Sequence, residues 1–269
     1  MGTLRAIVRL ASFIALTLPL MPVQWVLLRL GSRGAELLPM FYHRVLCRLL
    51  GLEIVSRGRP AAPSPVLYVS NHVSWLDILV LSTFRPVSFV AKSEVDSWPG
   101  FNLLARLQNT VFVERRRTRL AAHSEDIADR LASGHSLLLF AEGTSGDGVK
   151  VLPFRSGFFA VCANEYPGGL KVQPVSIAYT RLDGFPTGRR FRHIAAWHGD
   201  IELVPHLWRF VRYRHTTVEV TFHPTADPQL HADRKALARF CQHRVADGVL
   251  RSITGRHEER AAAAPQVSA

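Results

Sequence analysis

The amino-acid sequence predicts an α/β protein, in which a mixed β-sheet is flanked by helices and an N-terminal helical segment associates with a membrane. Two observations carry this prediction. Short β-branched runs alternate with stretches of helical periodicity from residue 52 to residue 253. An uncharged apolar run, residues 10–28, begins almost at the N-terminus.

The predicted strands are short apolar runs bounded by turn residues. They cover residues 52–56, 66–70, 87–91, 110–113, 136–140, 172–178 and 217–222. Helical periodicity fills several of the gaps between them. The predicted helices cover residues 34–50, 118–132, 157–165 and 232–253.

The N-terminal run is long enough to cross a bilayer core of roughly 30 Å. Pro19 and Pro22 interrupt it and Gln24 lies inside it, so a spanning helix and a kinked, interfacial or re-entrant helix both remain open. A cleaved signal peptide is disfavoured, because no small-x-small cleavage site follows the run. We expect a membrane-associated helix at 1–33, an α/β domain at 34–254 and a disordered tail at 255–269.

The formal net charge of +12 indicates an acidic partner, which can be a nucleic acid, an anionic membrane or a negatively charged substrate. The arginines are scattered and no nucleic-acid-binding signature accompanies them, so no nucleic acid is expected. The three cysteines are far apart and none forms a CxxC pair. Neither a disulfide framework nor a metal site is therefore expected.

A candidate catalytic pair follows the second predicted strand, in the segment NHVSWLD at residues 71–77. His72 and Asp77 do not share a helical face, but they meet if His72 lies in the turn before a helix and Asp77 in its first turns. Asp77 would then orient the imidazole, whose other nitrogen would take a proton from a substrate hydroxyl. The alternative is a capping turn in which Asn71 or Ser74 caps the helix.

Three later segments also lie at or near predicted strand ends, where ligand-binding groups gather in α/β sheets. They are FVER at residues 112–115, FAEGTS at 140–145 and QPVS at 173–176. Together with NHVSWLD, these segments resemble the four sequence blocks of the glycerolipid acyltransferase family, whose bacterial type is 1-acylglycerol-3-phosphate acyltransferase. Ala141 replaces the proline of the family's FPEGT block, and a glycine usual before the second block is absent.

The resemblance implies transfer of a fatty acyl group from a thioester of acyl carrier protein or coenzyme A onto the free hydroxyl of a lysolipid. No other cofactor is implied. It places the chain on the cytoplasmic face of the inner membrane and implies that His72 and Asp77 are catalytic. The substrate-binding residues that it implies are Asn71, Phe112, Arg115, Glu142, Gly143, Thr144 and Pro174.

A narrower resemblance links residues 87–100, 140–156 and 197–208 to the lyso-ornithine lipid acyltransferase branch, although Gly146 stands where that branch more often has serine. It implies an acylated ornithine as acceptor, with a phosphatidic-acid-forming enzyme as the alternative. The ornithine amine needs an anionic partner, and Glu142, Asp147 and Asp200 are available. A non-catalytic lipid-binding module of the same fold is the alternative from a different class, and the intact His72–Asp77 pair argues against it.

Overall fold

The computed structural model of the chain describes residues 2–62, 65–92, 101–113 and 120–256. The α-helices are α1 Gly2–Arg29, α2 Gly34–Leu50, α3 Leu76–Leu81, α4 Phe101–Leu107, α5 Leu120–Ala132, α6 Gly188–Phe191, α7 Leu203–Phe210 and α8 Arg234–Thr254. The strands are β1 Leu52–Arg57, β2 Val66–Ser70, β3 Ser88–Lys92, β4 Val111–Val113, β5 Leu137–Phe140, β6 Lys171–Leu182, β7 Phe185–Pro186 and β8 Thr216–Phe222. Short 3-10 helices cover Ser156–Ala163, Arg192–Ile194 and Pro228–Leu230.

The strands form one mixed sheet in the order β1-β8-β6-β2-β5-β3-β4, with β7 paired to β6 as a hairpin. Strands β6, β2, β5, β3 and β4 are mutually parallel, whereas β8 runs antiparallel to β6 and parallel to β1. The prediction of a mixed sheet flanked by helices is confirmed, and each predicted strand is present. The two-residue strand β7 was not predicted.

Both faces of the sheet are covered, which is why β2 is buried along its whole length. One face packs against α2, α3 and α7 through a core that includes Leu50, Val80 and Phe210. The other face packs against α5, α8 and the first 3-10 helix through a core that includes Leu131 and Phe159. The turn that follows the carboxyl end of β2 therefore lies between the helical layers on the two faces of the sheet.

The longer predicted helices are close to the observed ones. Helix α2 has the predicted bounds, and α8 begins and ends within two residues of them. The segment predicted as a helix at 157–165 is a 3-10 helix, and the first two residues of 118–132 lie outside the described residues. Residues 257–269 also lie outside them, so the disordered tail stays a prediction.

Helix α1 lies along the α/β domain, and polar side chains attach it near both of its ends. Near its start, the buried Arg9 guanidinium donates hydrogen bonds to the carbonyl oxygens of Val211 at 3.1 Å and Arg214 at 2.6 Å. Near its end, the buried Gln24 amide donates to the carbonyl oxygen of Leu107 at 2.8 Å. Because both ends are attached to the same domain, α1 follows the domain surface.

The opposite face of α1 is apolar and exposed. Its exposed apolar side chains are Leu4, Ile7, Val8, Ile14, Leu18, Val23, Trp25 and Val26. Helix α2 packs against α1 and extends this surface with Leu37, Phe41 and Val45, which recur one turn apart. Among the helices of the described residues, α1 has the length and hydropathy to cross a bilayer, and Pro19 and Pro22 lie inside it without ending it.

A glycine in the middle of α8 allows that helix to approach the sheet closely. Gly248 faces a partly buried hydrogen bond of 3.1 Å between Ser176 Oγ on β6 and His223 Nε2. A methyl group at position 248 would lie 2.7 Å from the His223 ring and would also overlap Ser176 Oγ. The close packing of α8 on β6 therefore requires that position 248 has no side chain.

Replacing Gly248 by Ala should destabilise the fold by about 1–3 kcal/mol through overpacking. This reverses the usual effect of that change inside a helix, which stabilises by up to about 1 kcal/mol. Gly157→Ala is the control, because a side chain there meets no atom within 4 Å. The measurement is thermal unfolding in detergent. Equal midpoints for the two variants would contradict the close-packing account.

Candidate active site

At the carboxyl end of β2, the side chain of Asn71 takes over the pairing with β6. Ser70 pairs with Phe140 on β5 and with Val175 on β6, after which β2 ends. The buried Asn71 amide then donates to the carbonyl oxygen of Ile177 and accepts from its N–H, both at 3.0 Å. Asn71 thus continues the pairing with β6 through its side chain. Its predicted contact with substrate stays a prediction, but the observed contacts give it a positioning role.

The Asp77 carboxylate organises the turn that follows. Its side chain is fully buried at the start of α3 and accepts four hydrogen bonds. Oδ2 accepts from the backbone N–H groups of Val73 at 2.6 Å and Ser74 at 2.9 Å, and from His72 Nδ1 at 2.9 Å. Oδ1 accepts from the Tyr179 hydroxyl at 2.6 Å. Four donors compensate the burial of a charged carboxylate, which is otherwise costly.

The His72 ring is fixed in position by two contacts. The bond from Nδ1 to Asp77 sets its tautomer, with the proton on Nδ1 and a lone pair on Nε2. The ring also stacks on Phe140 with centroids 4.0 Å apart, and Phe140 stacks in turn on Phe89. The side chain is 17% exposed, and Nε2 has no hydrogen-bond partner among the described residues. This nitrogen is placed to accept a proton from an incoming group.

Glu142 lies beside the backbone of His72 and is 3% exposed. Its Oε1 accepts from the backbone N–H of Leu152 at 3.0 Å and its Oε2 from that of His72 at 3.4 Å. Burial raises the pKa of Glu142 to about 8, so the carboxyl carries little charge at neutral pH. Contact with the acceptor stays a prediction for this residue. In the structure, its carboxyl group ties the loop after β5 to the backbone of His72.

The loop after β5 closes over the turn that carries His72. Gly143 adopts a φ of +67°, and a side chain there would meet the Arg155 side chain at 2.9 Å, so a glycine is required. The N–H of Gly146 donates to the carbonyl oxygen of His72 at 2.8 Å. Arg192 donates to the carbonyl oxygen of Gly148 at 2.7 Å. These contacts fix the loop beside the His72 ring.

The remaining predicted site residues have different outcomes. Thr144 is half-buried in the same loop, and Pro174 is buried within β6 opposite Val69. Phe112 lies on β4 at the edge of the sheet, and Arg115 lies outside the described residues. All of them stay predictions as substrate-binding residues.

The two aspartates considered for the acceptor amine are both exposed. Asp147 belongs to the loop after β5, where its Oδ1 accepts from the backbone N–H of Val149 at 2.8 Å. Asp200 lies in the segment between Trp197 and α7. The N–H of Trp197 donates to the carbonyl oxygen of Val73 at 2.8 Å, so this segment also reaches the turn that carries His72.

Tyr179 is a residue of the candidate site that sequence reasoning missed. It lies on β6, 102 residues after Asp77, and its fully buried hydroxyl makes the fourth hydrogen bond to that carboxylate. Burial, together with the neighbouring Asp77 charge, raises the pKa of Tyr179 well above its ordinary value. The hydroxyl therefore stays protonated and donates a hydrogen bond to Asp77. No local pattern indicates such a partner, because β6 reaches Asp77 only through the sheet topology.

Comparisons with known proteins identify the family of the chain. Residues 51–178 match the Acyltransferase family model. The chain is 44% identical over 260 residues to a lyso-ornithine lipid O-acyltransferase of Brucella abortus, covering 95% of this chain and 97% of that protein. The chain belongs to the glycerolipid acyltransferase family.

A second relative and a solved structure extend the comparison. A lyso-ornithine lipid O-acyltransferase of Rhizobium meliloti is 44% identical over 257 residues, covering 94% of this chain and 88% of that protein. The crystal structure of a 1-acyl-sn-glycerophosphate acyltransferase from Thermotoga maritima matches the fold with a TM-score of 0.66 at 22% identity, covering 93% and 97% of the two chains. This glycerolipid acyltransferase is therefore an O-acyltransferase that acts on a lysolipid, and it associates with membranes.

Replacing Tyr179 by Phe should lower kcat by about tenfold, the effect of losing roughly 1.4 kcal/mol of hydrogen bonding to a charged group. The loss frees one oxygen of Asp77 and loosens the orientation of His72, whereas KM for the lysolipid should stay unchanged.

Tyr166→Phe is the matched control, because the buried Tyr166 hydroxyl donates to the Val161 carbonyl oxygen on the other face of the sheet. The measurement is steady-state acyl transfer at saturating lysolipid. A kcat for Tyr179→Phe equal to that of Tyr166→Phe would rule out a role for Tyr179 in positioning Asp77.

Proposed function

We propose that His72 acts as the general base that deprotonates the acceptor hydroxyl, with Asp77 as its orienting partner. The observation that carries this proposal is the fixed imidazole, with Nδ1 held by Asp77 and Nε2 open. A neutral imidazole in this tautomer can accept a proton at Nε2 and leave the resulting positive charge beside a buried carboxylate.

The chemical step needs no covalent intermediate on the enzyme. As Nε2 of His72 takes the hydroxyl proton, the acceptor oxygen attacks the thioester carbonyl carbon and forms a tetrahedral oxyanion. The oxyanion collapses, the carbon–sulfur bond breaks, and the thiolate leaves with the proton returned from Nε2. An ester and a free thiol result. The donor is a fatty acyl thioester of acyl carrier protein or of coenzyme A.

The acceptor that we propose is lyso-ornithine lipid. The identity of 44% to the Brucella abortus protein of that activity, over nearly the full length of both chains, supports it. The acceptor has a carboxylate and an ammonium group. Arg155 packs on Gly143 and donates from Nε to the carbonyl oxygen of Glu142 at 3.2 Å, so a guanidinium lies beside the catalytic turn. It can pair with a carboxylate, as can Arg115.

The ammonium group requires an anion, and Asp147 is better suited than Glu142. Asp147 is exposed in the loop that closes over His72, and it is close enough to Glu142 to influence its ionisation. Glu142 is buried and largely neutral, with both oxygens already hydrogen-bonded. An exposed carboxylate on this loop would repel an acceptor that carries only a phosphate.

For the membrane, we propose that α1 and α2 lie in the bilayer interface and that α1 does not span it. Attachment at Arg9 and Gln24 keeps α1 on the domain surface, and its apolar side faces away. Arg29 lies 5.2 Å from the Trp25 ring, an arrangement suited to the headgroup level. The location on the cytoplasmic face of the inner membrane stays a prediction.

Given both acceptors at equal concentration, the enzyme should acylate lyso-ornithine lipid at least as well as lysophosphatidate. Asp147→Asn should shift the preference toward lysophosphatidate, because the variant loses the anion that attracts the amine and repels the phosphate. The measurement is the ratio of the two products by mass spectrometry.

The matched control is Asp227→Asn, since Asp227 is also an exposed turn residue that accepts a backbone N–H, from Gln229 at 2.9 Å. Exclusive acylation of lysophosphatidate by the unaltered enzyme would contradict the acceptor assignment while leaving acyl transfer itself intact. An unchanged product ratio in Asp147→Asn would show that the amine is bound elsewhere.

A further inference from the structure

Helix α7 has an exposed apolar side that the core does not explain. Val204 is 73% exposed and Trp208 is 37% exposed, and the two lie one turn apart on the same face. On the opposite face, His206 and Phe210 are buried. Apolar side chains therefore lie on both the inner and the outer side of this helix.

The inner side fixes α7 to the catalytic turn. His206 Nδ1 accepts from the Trp75 indole N–H at 3.2 Å, and its Nε2 donates to the carbonyl oxygen of Ala196 at 3.1 Å. Burial lowers the pKa of His206 to about 4, so the ring stays neutral and keeps this pattern of donor and acceptor. Phe210 packs edge-on against Trp75. Held in this way, α7 cannot rotate to bury Val204.

The carboxyl end of α7 lies beside the first turns of α1. The residues that directly follow α7 contact the first turns of α1, where Arg5 donates to the carbonyl oxygen of Arg212 at 2.8 Å and Arg9 to that of Val211. Leu4 and Val8 are exposed on those same turns of α1. The carboxyl end of α7 therefore lies beside the end of α1 that carries Leu4 and Val8.

Basic residues border the carboxyl end of this surface, whereas Asp200 and Glu202 are exposed before its amino end. Arg209 and Arg212 are exposed at the carboxyl end of α7, and Arg214 is exposed shortly after it. An apolar strip bordered by arginines, with a tryptophan at its edge, is the composition that binds the interface of an anionic bilayer. An acidic protein would match the arginines but would leave the exposed apolar side chains of α7, and the proximity of this helix to α1, without a role.

We propose that the outer side of α7, formed by Val204 and Trp208, is a second membrane-contacting surface that binds the headgroup region of an anionic bilayer. Because the inner side of α7 is bonded to Trp75, two residues before Asp77, this contact sets the height of the catalytic turn above the membrane. Helix α1 anchors the enzyme in the membrane, and α7 fixes the tilt of the α/β domain relative to the membrane plane. The surface is independent of which lysolipid is acylated.

The test places an environment-sensitive fluorophore at the outer side of α7 in the full-length enzyme. Val204→Cys is labelled and mixed with vesicles of phosphatidylcholine and phosphatidylglycerol. Leu230→Cys is the matched control, because Leu230 is 82% exposed but lies on the far 3-10 helix. Labelling of the unaltered protein gives the background from its native cysteines, of which Cys47 and Cys241 are buried.

We expect a blue shift, and quenching by lipids with spin labels near the headgroup, for the label at position 204. We expect neither signal for the label at position 230. A label at 204 that stays in water while the enzyme sediments with the vesicles would overturn the proposal. So would a blue shift produced without vesicles, either by added acyl carrier protein or by raising the enzyme concentration. Those results would assign the surface to an acidic protein or to a second copy of the chain.

Discussion

The buried carboxylate of Asp77 is the constraint on which the active site depends. It accepts hydrogen bonds from two backbone N–H groups of the turn, from the His72 ring and from the Tyr179 hydroxyl. One group thus closes the turn, sets the imidazole tautomer and joins α3 to β6. Since an unpaired buried charge would cost several kcal/mol, each donor is needed both for stability and for orientation.

The surrounding architecture brings polar groups to the catalytic turn and keeps water from most of it. Asn71 extends the pairing of β2 with β6, and Glu142 ties the loop after β5 to the backbone of His72. The Phe140 ring stacks on the imidazole of His72. On the outer side of the molecule, α1, α2 and α7 present apolar side chains. A lysolipid acceptor held in a bilayer would therefore meet a site whose base is already oriented.

The sequence was informative where the determinants are local. Strand positions follow from apolar runs bounded by turns, and the contact of His72 with Asp77 follows from their spacing across a turn. Side chains that depend on sheet order were not predictable. Tyr179 reaches Asp77 from a strand 102 residues later, and the backbone bonds of Asn71 and Glu142 exist only once the strands are paired. The short helix α7 has too few residues for periodicity to reveal it.

The most direct test of the central claim is the release of free thiol from an acyl thioester by the His72→Ala variant in the presence of lysolipid. The account predicts a rate lower by about 10²–10⁴, the usual effect of removing a general base, with vesicle binding and thermal unfolding close to those of the unaltered enzyme. Asp77→Asn should lose activity in the same direction. Full activity of His72→Ala on purified substrates would contradict the account, since the acceptor hydroxyl would then be deprotonated by another group.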